Sequence, residues 1–414
     1  MKTLHMGCLM ALGVAMLSAC CSQPADMKVS TDDGTLWSVK MADSELAHGI
    51  LSCTIDPEKG YNKWDYTAGV ILKGLLDLYD AYGDAKYFEY VEDYANQMVE
   101  EDGTIKTYDM EEYNIDRINT GKIFFRLYEQ TKKEKYRLAA TALRRQLDGH
   151  PRNEDGGYWH KARYPHQMWL DGIYMGGPFY AEYAFRNNQV NDYQDIINWF
   201  RTMDQHCYNP AMDLYCHACD VSRQQSWCDP ETGLSKHCWG RALGWFAMAA
   251  VDVLDFLPKH EDGYDEVVAI FNKLASHLRR MQQPDSGLWY QVIDRGGDID
   301  NYLEATCACM FTYALAKGVR QGVLDESYLD VCRKAFEGIT TRLISHDPDG
   351  WININDCSGG AGLGGDPLKP DTYRAADYDY YIYKVKRVTN SSHATGPFIM
   401  AALELERVDG LSTR

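Results

Sequence analysis

The sequence predicts an all-α protein, an (α/α)6 barrel of about six helical hairpins in a single domain. Three features lead to this prediction: apolar residues recur at three- and four-residue spacing, the helical segments come in couples joined by short polar turns, and a similar break follows nearly every couple. Because 414 residues exceed the usual size of one hydrophobic core, a repeat architecture explains how one domain uses this length.

The predicted couples follow one another along the chain. In order, they are 64–83 with 84–101, 115–132 with 134–150, 169–187 with 190–207, 239–257 with 262–282, and 303–320 with 325–343. A final helix covers about 392–408, and the segment near 37–51 could supply its missing partner. Strand-like alternation is confined to the short connectors.

The breaks after the second helices share a turn that contains glycine and is followed by an aromatic residue. Examples are EDGGYWH at 154–160, DSGLWYQ at 285–291 and DPDGWIN at 347–353, and such breaks recur about every 50–70 residues. Helical hairpins of this kind can close into a ring with one helix of each pair inside, or stay open as a solenoid. Closure is favoured because the terminal helices are apolar, unlike the polar caps of an open solenoid.

Polar and aromatic residues that do not fit the repeat stand at or just before the first helix of each pair. They are Trp64, Tyr66, Asn114, Asp116, Trp169, Asp171, Trp239, Arg241, Glu304 and His393. In a ring these helix starts share one end, so we expect the side chains to converge there. Alternatives remain open for some of them, because Asp116 could be an ordinary N-cap, and Trp239 and Trp245 could belong to the core. Arg241 lies in an apolar run and needs an anionic partner or water.

The stretch PHQMWLDGIYMGGPFYAEYA at 165–184 places Trp169 and Asp171 just ahead of two adjacent glycines and Pro178. Either Pro178 lies in the first turn of a helix with Asp171 on the entering loop, or it kinks a longer helix. Both interpretations leave Asp171 near a helix entrance.

Residues 1–19 have the pattern of a bacterial lipoprotein signal peptide: a short basic head, an apolar run too short to span a bilayer, and small residues before Cys20. We predict that Cys20 is the lipidated first residue of the mature protein, followed by a tether over 20–36 and the helical domain over 37–414. A cleaved signal with a chance cysteine is the alternative. The expected location is the periplasm or the cell surface, with a lipid anchor in a bacterial membrane.

The composition argues against some classes of function. A formal net charge of −18 and the lack of a Lys/Arg run argue against nucleic-acid binding. An anionic small ligand would need a local cluster of cations and backbone N–H groups. Five of the 13 cysteines crowd into residues 206–238 together with three histidines, but only Cys216 and Cys219 form a CxxC and no second pair follows. We therefore expect no metal site, and the cysteines are either disulfides or buried free thiols.

Three strings carry a resemblance to a known family: GGYWHKARYPHQMWLDGIYMGGPFYAEYA, DPETGLSKHCWGRALGWFAMAAVDVLDFLP and NIDRINTGKIFFRLYEQT. Together they resemble the unsaturated rhamnogalacturonyl hydrolases, glycoside hydrolase family 105, over most of residues 60–405. The resemblance implies an (α/α)6 barrel that removes a 4,5-unsaturated galacturonate from the nonreducing end of oligosaccharides left by pectin lyases, without metal or other cofactor. Unsaturated glucuronyl hydrolases, which act on glycosaminoglycan fragments, share this fold and chemistry and are the alternative.

Carried over by position, the resemblance implies that Asp171 in QMWLD is the general acid/base and that Asp116 in NIDRIN is the second carboxylate. The sugar-binding residues that it implies are Tyr66, His160, Trp169, His217, Trp239, Arg241 and Trp245. Arg241, His217 and Lys161 would hold the uronate carboxylate. In one departure, Cys219 stands where the family pattern has a tryptophan, which affects the expected subsite specificity rather than the chemistry.

The chemistry follows from the substrate. A 4,5-unsaturated uronate is a vinyl ether, so protonation at C4 places positive charge at C5, where water adds to give a hemiketal that opens and expels the neighbouring sugar. An ordinary aspartic acid titrates at about 3.9, so the donor needs a second carboxylate and partial burial to keep its proton near neutral pH. We predict that Asp171 holds this proton and that Asp116 stays ionised.

Two other classes of function fit parts of the pattern. A helical-repeat lipoprotein could capture glycans without chemistry through a concave aromatic surface, and an (α/α)6 enzyme could act on saturated glycans or be a polysaccharide lyase. The paired Asp116 and Asp171 within the matched strings favour the unsaturated uronyl hydrolase.

We expect Arg241→Lys to weaken substrate binding although it keeps the charge, because only the planar guanidinium can hold a carboxylate through two parallel hydrogen bonds. The measurement is KM on an unsaturated uronide. An unchanged KM would remove Arg241 from carboxylate binding.

Overall fold

The computed structural model describes residues 30–49, 55–56, 61–365, 368–369 and 371–411. The predicted signal peptide, Cys20 and most of the predicted tether lie outside these residues. Within the described part of the chain, no helix is both long enough and apolar enough to cross a membrane.

The regular structure of the described residues is mostly α-helical. The α-helices are α1 (Trp37–His48), α2 (Tyr66–Tyr82), α3 (Ala85–Met98), α4 (Lys122–Thr131), α5 (Glu134–Gly149), α6 (Leu170–Arg186), α7 (Asp192–Cys207), α8 (Gly240–Leu254), α9 (Tyr264–Met281), α10 (Ala305–Arg320), α11 (Tyr328–Gly338) and α12 (Ser392–Val408). These bounds match the predicted couples to within a few residues.

The first helices of the pairs close into an inner ring, as predicted. Each of α2, α4, α6, α8, α10 and α12 packs against the next, and α12 returns to α2. The early helix α1 packs against α12, which confirms it as the missing partner. The buried Glu406 carboxylate joins these elements, because it accepts hydrogen bonds from the Ser38 backbone N–H at 3.1 Å and from the hydroxyls of Ser38 at 2.6 Å and Tyr82 at 2.8 Å.

Strands occur only in the connectors, as five antiparallel pairs among the described residues. They are β1 (Ile55–Asp56) with β2 (Tyr61–Asn62), β3 (Gln167–Trp169) with β6 (Ala218–Asp220), β4 (Tyr208–Asn209) with β5 (Leu214–Tyr215), β7 (Ile344–His346) with β8 (Ile352–Ile354), and β9 (Cys357–Ser358) with β10 (Arg387–Val388). The β3–β6 pair matters most for the site, because it joins the start of α6 to the connector before α8.

Two predicted helices differ from the prediction in their local form. The segment predicted as one helix over 115–132 begins as a 3-10 helix at Ile115–Gly121, and α4 starts only at Lys122. The tighter turn lies directly against α2, where a Cβ on Gly69 would stand 2.5 Å from the Thr120 Cα. Likewise α11 ends at Gly338 and continues as a π-helix over Ile339–Leu343, because Gly338 packs against the Ser286 carbonyl.

Ring closure depends on a close backbone approach between α12 and α2. A Cβ on Gly396 would lie 2.7 Å from the Val70 carbonyl oxygen, which cannot move without shifting α2. We expect Gly396→Ala to lower the free energy of unfolding by about 1–3 kcal/mol through overpacking. Chemical denaturation measures this change.

The matched control is Gly177→Ala on the inner helix α6, where the nearest atoms to an added Cβ lie at 3.5 and 3.6 Å. Alanine fits this site and favours a helix over glycine by about 0.5–1 kcal/mol, so stability should stay equal or rise. Equal losses in the two variants would contradict a specific closure contact at Gly396.

Candidate active site

A cavity of about 310 Å³ opens at the end of the barrel where the inner helices begin. Six of the predicted site residues line it: Tyr66, Asp116, His160, Lys161, Trp169 and Asp171. The predicted convergence of helix starts on one site is therefore observed for these residues.

The start of α6 explains the position of Asp171. Pro178 lies inside this helix, so the structure selects the second interpretation of the sequence, and Asp171 occupies the first helical turn. The helix begins where β3 ends, and β3 pairs with β6 in a register that sets Trp169 opposite Ala218. The Leu170 backbone N–H also donates to the His217 carbonyl at 3.1 Å, which brings the two connectors together beneath the cavity.

Asp171 faces His217 across this junction. The Asp171 Oδ2 and His217 Nε2 atoms lie 3.4 Å apart, and neither forms a hydrogen bond to a described residue although both are buried. His217 is fully buried, and its Nδ1 hydrogen-bonds the Tyr381 hydroxyl at 2.9 Å. Asp171 therefore lines the cavity while its buried Oδ2 faces an imidazole whose orientation Tyr381 fixes.

Asp116 lies in a cationic environment. Its carboxylate pairs with the Lys161 ammonium and stands 3.3 Å from His160 Nε2. Burial raises the pKa of Asp116, but the charge and the hydrogen bond of the Lys161 ammonium outweigh it, so the pKa lies below its ordinary value. Asp116 is therefore a carboxylate at neutral pH. The N-cap of the 3-10 helix is Asn114, whose side chain accepts from the Asp116 N–H, so Asp116 is not the cap.

A backbone pairing brings Lys161 to Asp116. Asn114 and Lys161 form an antiparallel bridge, and the Ile115 N–H donates to the His160 carbonyl at 3.3 Å. This contact joins the connector before α4 to the connector before α6, so the two aspartates come from neighbouring hairpins.

Aromatic rings form one wall of the cavity. Trp169 lies between His160 and Tyr164, with ring centroids 4.7 and 5.2 Å away and interplanar angles of 5° and 7°. Burial lowers the pKa of His160 to about 4, so its ring is neutral at neutral pH. The stack gives Trp169 a fixed orientation beside Asp171.

Tyr66 forms part of the cavity floor. Its hydroxyl hydrogen-bonds His393 Nε2 at 2.8 Å, and His393 packs edge-on against Trp245 with centroids 5.9 Å apart. Burial drives the pKa of Tyr66 above and that of His393 below their ordinary values. Both rings are therefore neutral.

The remaining predicted sugar-binding residues do not line the cavity. Trp239 and Trp245 are buried, and Trp245 stacks on Tyr174 with centroids 4.8 Å apart, so both tryptophans occupy the core position that the sequence left open. His217 lies below Asp171, and Arg241 is 2 % exposed.

Arg241 lies directly behind the cavity wall. Its Nη1 donates to the Ser358 carbonyl at 2.5 Å, its guanidinium lies over the Trp239 ring at 4.5 Å, and its buried Nε has no hydrogen-bond partner. A Cβ on Gly360, which does line the cavity, would lie 3.6 Å from Arg241 Nη2. Among the described residues, no carboxylate lies within 4.0 Å of Arg241.

Sequence reasoning missed the part of the cavity that comes from the last connector. From this connector, the additional lining residues are Gly360, Ala361, Gly362, Arg374 and Tyr380. Sequence reasoning also missed Arg163 and Tyr164 before α6 and Met175 within it. A signal was present in the glycine-rich string CSGGAGLGG, because glycines there allow the backbone to approach the cavity closely. Arg374 packs against this segment, where a Cβ on Gly362 would meet its guanidinium.

The cysteines do not border the cavity. The nine described cysteines are buried and free, and the Sγ atoms of Cys216 and Cys238 lie 4.0 Å apart. Cys219, expected to alter the sugar-binding wall, is 1 % exposed, pairs with Met168 in the β3–β6 ladder and is not among the residues that line this cavity. Within the described residues, no cluster of three or more His, Cys, Asp or Glu side chains could hold a metal ion.

Comparison with known proteins places this architecture in a family. The model of Glycosyl Hydrolase Family 88 matches residues 37–409. The chain belongs to this family. It is 39% identical to a solved C. acetobutylicum glycoside hydrolase from family 105, with a TM-score of 0.84 over 89% of this chain and 99% of that one.

Two further relatives extend the likeness. The unsaturated rhamnogalacturonyl hydrolase YesR of Bacillus subtilis is 25% identical over 61% of this chain and 70% of its own. The unsaturated glucuronyl hydrolase of Bacillus sp. GL1 shares the fold at 14% identity, with a TM-score of 0.65 over 90% of this chain and 97% of its own. The predicted helical barrel and the predicted class, an unsaturated uronyl glycoside hydrolase of families 88 and 105, are confirmed at that level.

We expect Lys161→Met to lower the free energy of unfolding at pH 7 by about 1.5–3 kcal/mol, because it leaves the Asp116 carboxylate without its charged donor. The pKa of Asp116 is lower in the folded protein than in the unfolded protein, where it is about 3.9. Ionised Asp116 therefore stabilises the folded protein above that pH, and this stabilisation is lost as the pH falls through the folded pKa. The difference in the free energy of unfolding between Lys161→Met and the unmodified protein should therefore decrease towards pH 2. Urea denaturation at several pH values measures it.

The control is Lys133→Met, which breaks the pair between Lys133, 46% exposed, and Glu92 on the outer surface. Exposed pairs contribute about 0–1 kcal/mol, so this variant should change little at any pH. A pH-independent loss in Lys161→Met would contradict the assignment of an ionised Asp116.

Proposed function

We propose that the protein removes a 4,5-unsaturated galacturonate from rhamnose at the nonreducing end of lyase-generated oligosaccharides. The observation that carries this proposal is the pair of aspartates in one cavity. Asp116 is held as a carboxylate by Lys161, and Asp171 keeps a buried oxygen without a hydrogen-bond partner. Two carboxyl groups in such different environments suit general acid/base catalysis by one of them.

In this mechanism Asp171 donates its proton to C4 of the unsaturated sugar, and the C4–C5 double bond becomes an oxocarbenium ion shared between C5 and the ring oxygen. Asp171, now a carboxylate, takes a proton from water as the water oxygen bonds to C5. The resulting hemiketal opens and releases the neighbouring sugar. The negative charge of the Asp116 carboxylate, which lies next to His160, stabilises this cation.

The uronate carboxylate needs a cationic partner. Lys161, Arg163 and Arg374 line the cavity, and we assign the role to Arg241, directly behind the cavity wall. Its guanidinium lies behind Gly360 at the cavity wall, its Nε is unpartnered, and no described carboxylate neutralises it. His217 is engaged by Tyr381 and faces Asp171, so we assign it to orienting Asp171 rather than to binding the carboxylate. Lys161 is available to the carboxylate only in competition with Asp116.

The choice of substrate rests on the relatives. The likeness to the rhamnogalacturonyl hydrolase YesR in sequence supports galacturonate linked to rhamnose, whereas the glucuronyl hydrolase is alike in fold alone. A glucuronyl substrate is therefore the second candidate. We also propose that the protein is lipid-anchored through Cys20 in the periplasm or at the cell surface, which would bring it to oligosaccharides produced by lyases.

We expect Asp171→Asn to abolish the loss of ultraviolet absorbance when the protein is incubated with a pectin-lyase digest, because an amide cannot supply the proton. The unmodified protein should remove the absorbance of the unsaturated sugar. Near-native turnover in Asp171→Asn would remove Asp171 from the donor role.

The matched control is Asp220→Asn on β6, since Asp220 is buried but caps its own turn through the Ser222, Gln224 and Gln225 backbone N–H groups. This variant should lose stability more than chemistry. Binding of the digest without any change in absorbance would instead indicate a lipoprotein that captures glycans. A panel of unsaturated disaccharides would distinguish galacturonyl from glucuronyl substrates.

A further inference from the structure

A second cavity lies at the opposite end of the barrel, where the inner helices end. It has a volume of about 220 Å³ and is lined by the later turns of α2 and α6, the start of α4 and the end of α8. Stacked Tyr174 and Trp245 separate it from the catalytic cavity, since Trp245 contacts His393 on one side and Tyr174 contacts Lys122 on the other.

Most charges around this second cavity are neutralised by neighbours. Lys73 pairs with Asp77 at 2.6 Å, and Arg186 pairs with Glu182 at 2.7 Å. Arg126 likewise pairs with Asp80. These pairs leave the rim without a strong net charge.

Two residues that line this cavity carry a buried polar atom with no hydrogen-bond partner among the described residues. They are Lys122 Nζ and Asp252 Oδ2, on side chains that are 8% and 2% exposed. The other Asp252 oxygen is satisfied, because it accepts from the Tyr313 hydroxyl at 2.6 Å and from Lys317 Nζ at 2.7 Å. A buried polar group without a hydrogen-bond partner destabilises the folded protein, so we expect a bound molecule to supply donors and acceptors here.

The unpaired atoms indicate the chemistry of that molecule. Lys122 offers only donors and the Asp252 oxygen only accepts, so the ligand must accept at one point and donate at another. A carboxylate would be repelled by Asp252, and an ammonium group by Lys122. Burial lowers the pKa of Lys122 to about 7, which further weakens any preference for an anion. Hydroxyl groups meet both demands without charge.

The apolar part of the lining fits a sugar as well. Leu76, Ile123, Pro178 and Phe256 border the cavity, and they can cover the C–H surface of a pyranose ring. The volume is below the range of about 300–1,000 Å³ typical of drug-sized ligands, so it suits one small ring.

We propose that this second cavity binds a neutral monosaccharide or a similar small polyol, with hydroxyls accepting from Lys122 Nζ and donating to Asp252 Oδ2. The site is separate from the catalytic cavity and independent of the proposed reaction.

The test uses D-galactose and L-rhamnose as neutral probes and D-galacturonate as the charged one. Binding is followed by isothermal titration, and crystals of the unmodified protein are soaked in galactose. We expect a sugar between Lys122 and Asp252 in the soaked crystal, and we expect galactose or rhamnose to bind more tightly than galacturonate at this cavity. Water alone in the cavity, or tighter galacturonate binding there, overturns the proposal.

Lys122→Met tests the site directly. The protein should still fold, because the amine that is removed has no hydrogen-bond partner among the described residues. We expect it to weaken galactose binding about tenfold, the upper end for loss of one hydrogen bond. The surface variant Lys133→Met and the catalytic variant Asp171→Asn should keep this binding. Loss in Asp171→Asn with retention in Lys122→Met would assign the sugar to the catalytic cavity and overturn the proposal.

Discussion

The close backbone contact between α12 and α2 is the constraint on which the rest of the structure depends. Because Gly396 lets the last inner helix reach the first, all the inner helices stand in one closed ring. Their starts then share one end of the barrel and their ends the other. Helix starts carry partial positive charge and helix ends partial negative charge, so a protein with net charge −18 offers an anion a favourable site at one end. At the other end, Lys317, Arg320 and Arg407 complement the helix ends.

The connectors, rather than the helices, determine the geometry of the catalytic residues. Pairing of Asn114 with Lys161 sets the charge environment of Asp116, and pairing of β3 with β6 sets His217 against Asp171. The closed ring places the helix starts at one end of the barrel, but contacts between neighbouring hairpins determine the distances between the catalytic residues. A barrel of this type can therefore keep its helices while its connectors change which sugars it accepts.

The sequence predicted the helices well because their apolar stripes have a strong period, and it predicted Asp116 and Asp171 in one cavity because motif strings and helix starts coincide. It could not decide which aromatic side chains touch the cavity. Trp169 and Trp245 both stand near helix starts, yet one lies in the cavity wall and the other one layer below, which depends on side-chain direction in three dimensions. The glycine-rich string CSGGAGLGG marks the last connector, but the contribution of Arg374 was missed because no period or motif marks that residue itself.

The stacked Tyr174 and Trp245, with His393 above them, have a consequence for turnover. Within the described residues these rings close the axis of the barrel, so the catalytic cavity is a blind chamber rather than a tunnel. A released monosaccharide can leave only by the entrance through which the next chain end must arrive. Each turnover of the proposed reaction would therefore exchange one released sugar for one new chain end through the same entrance.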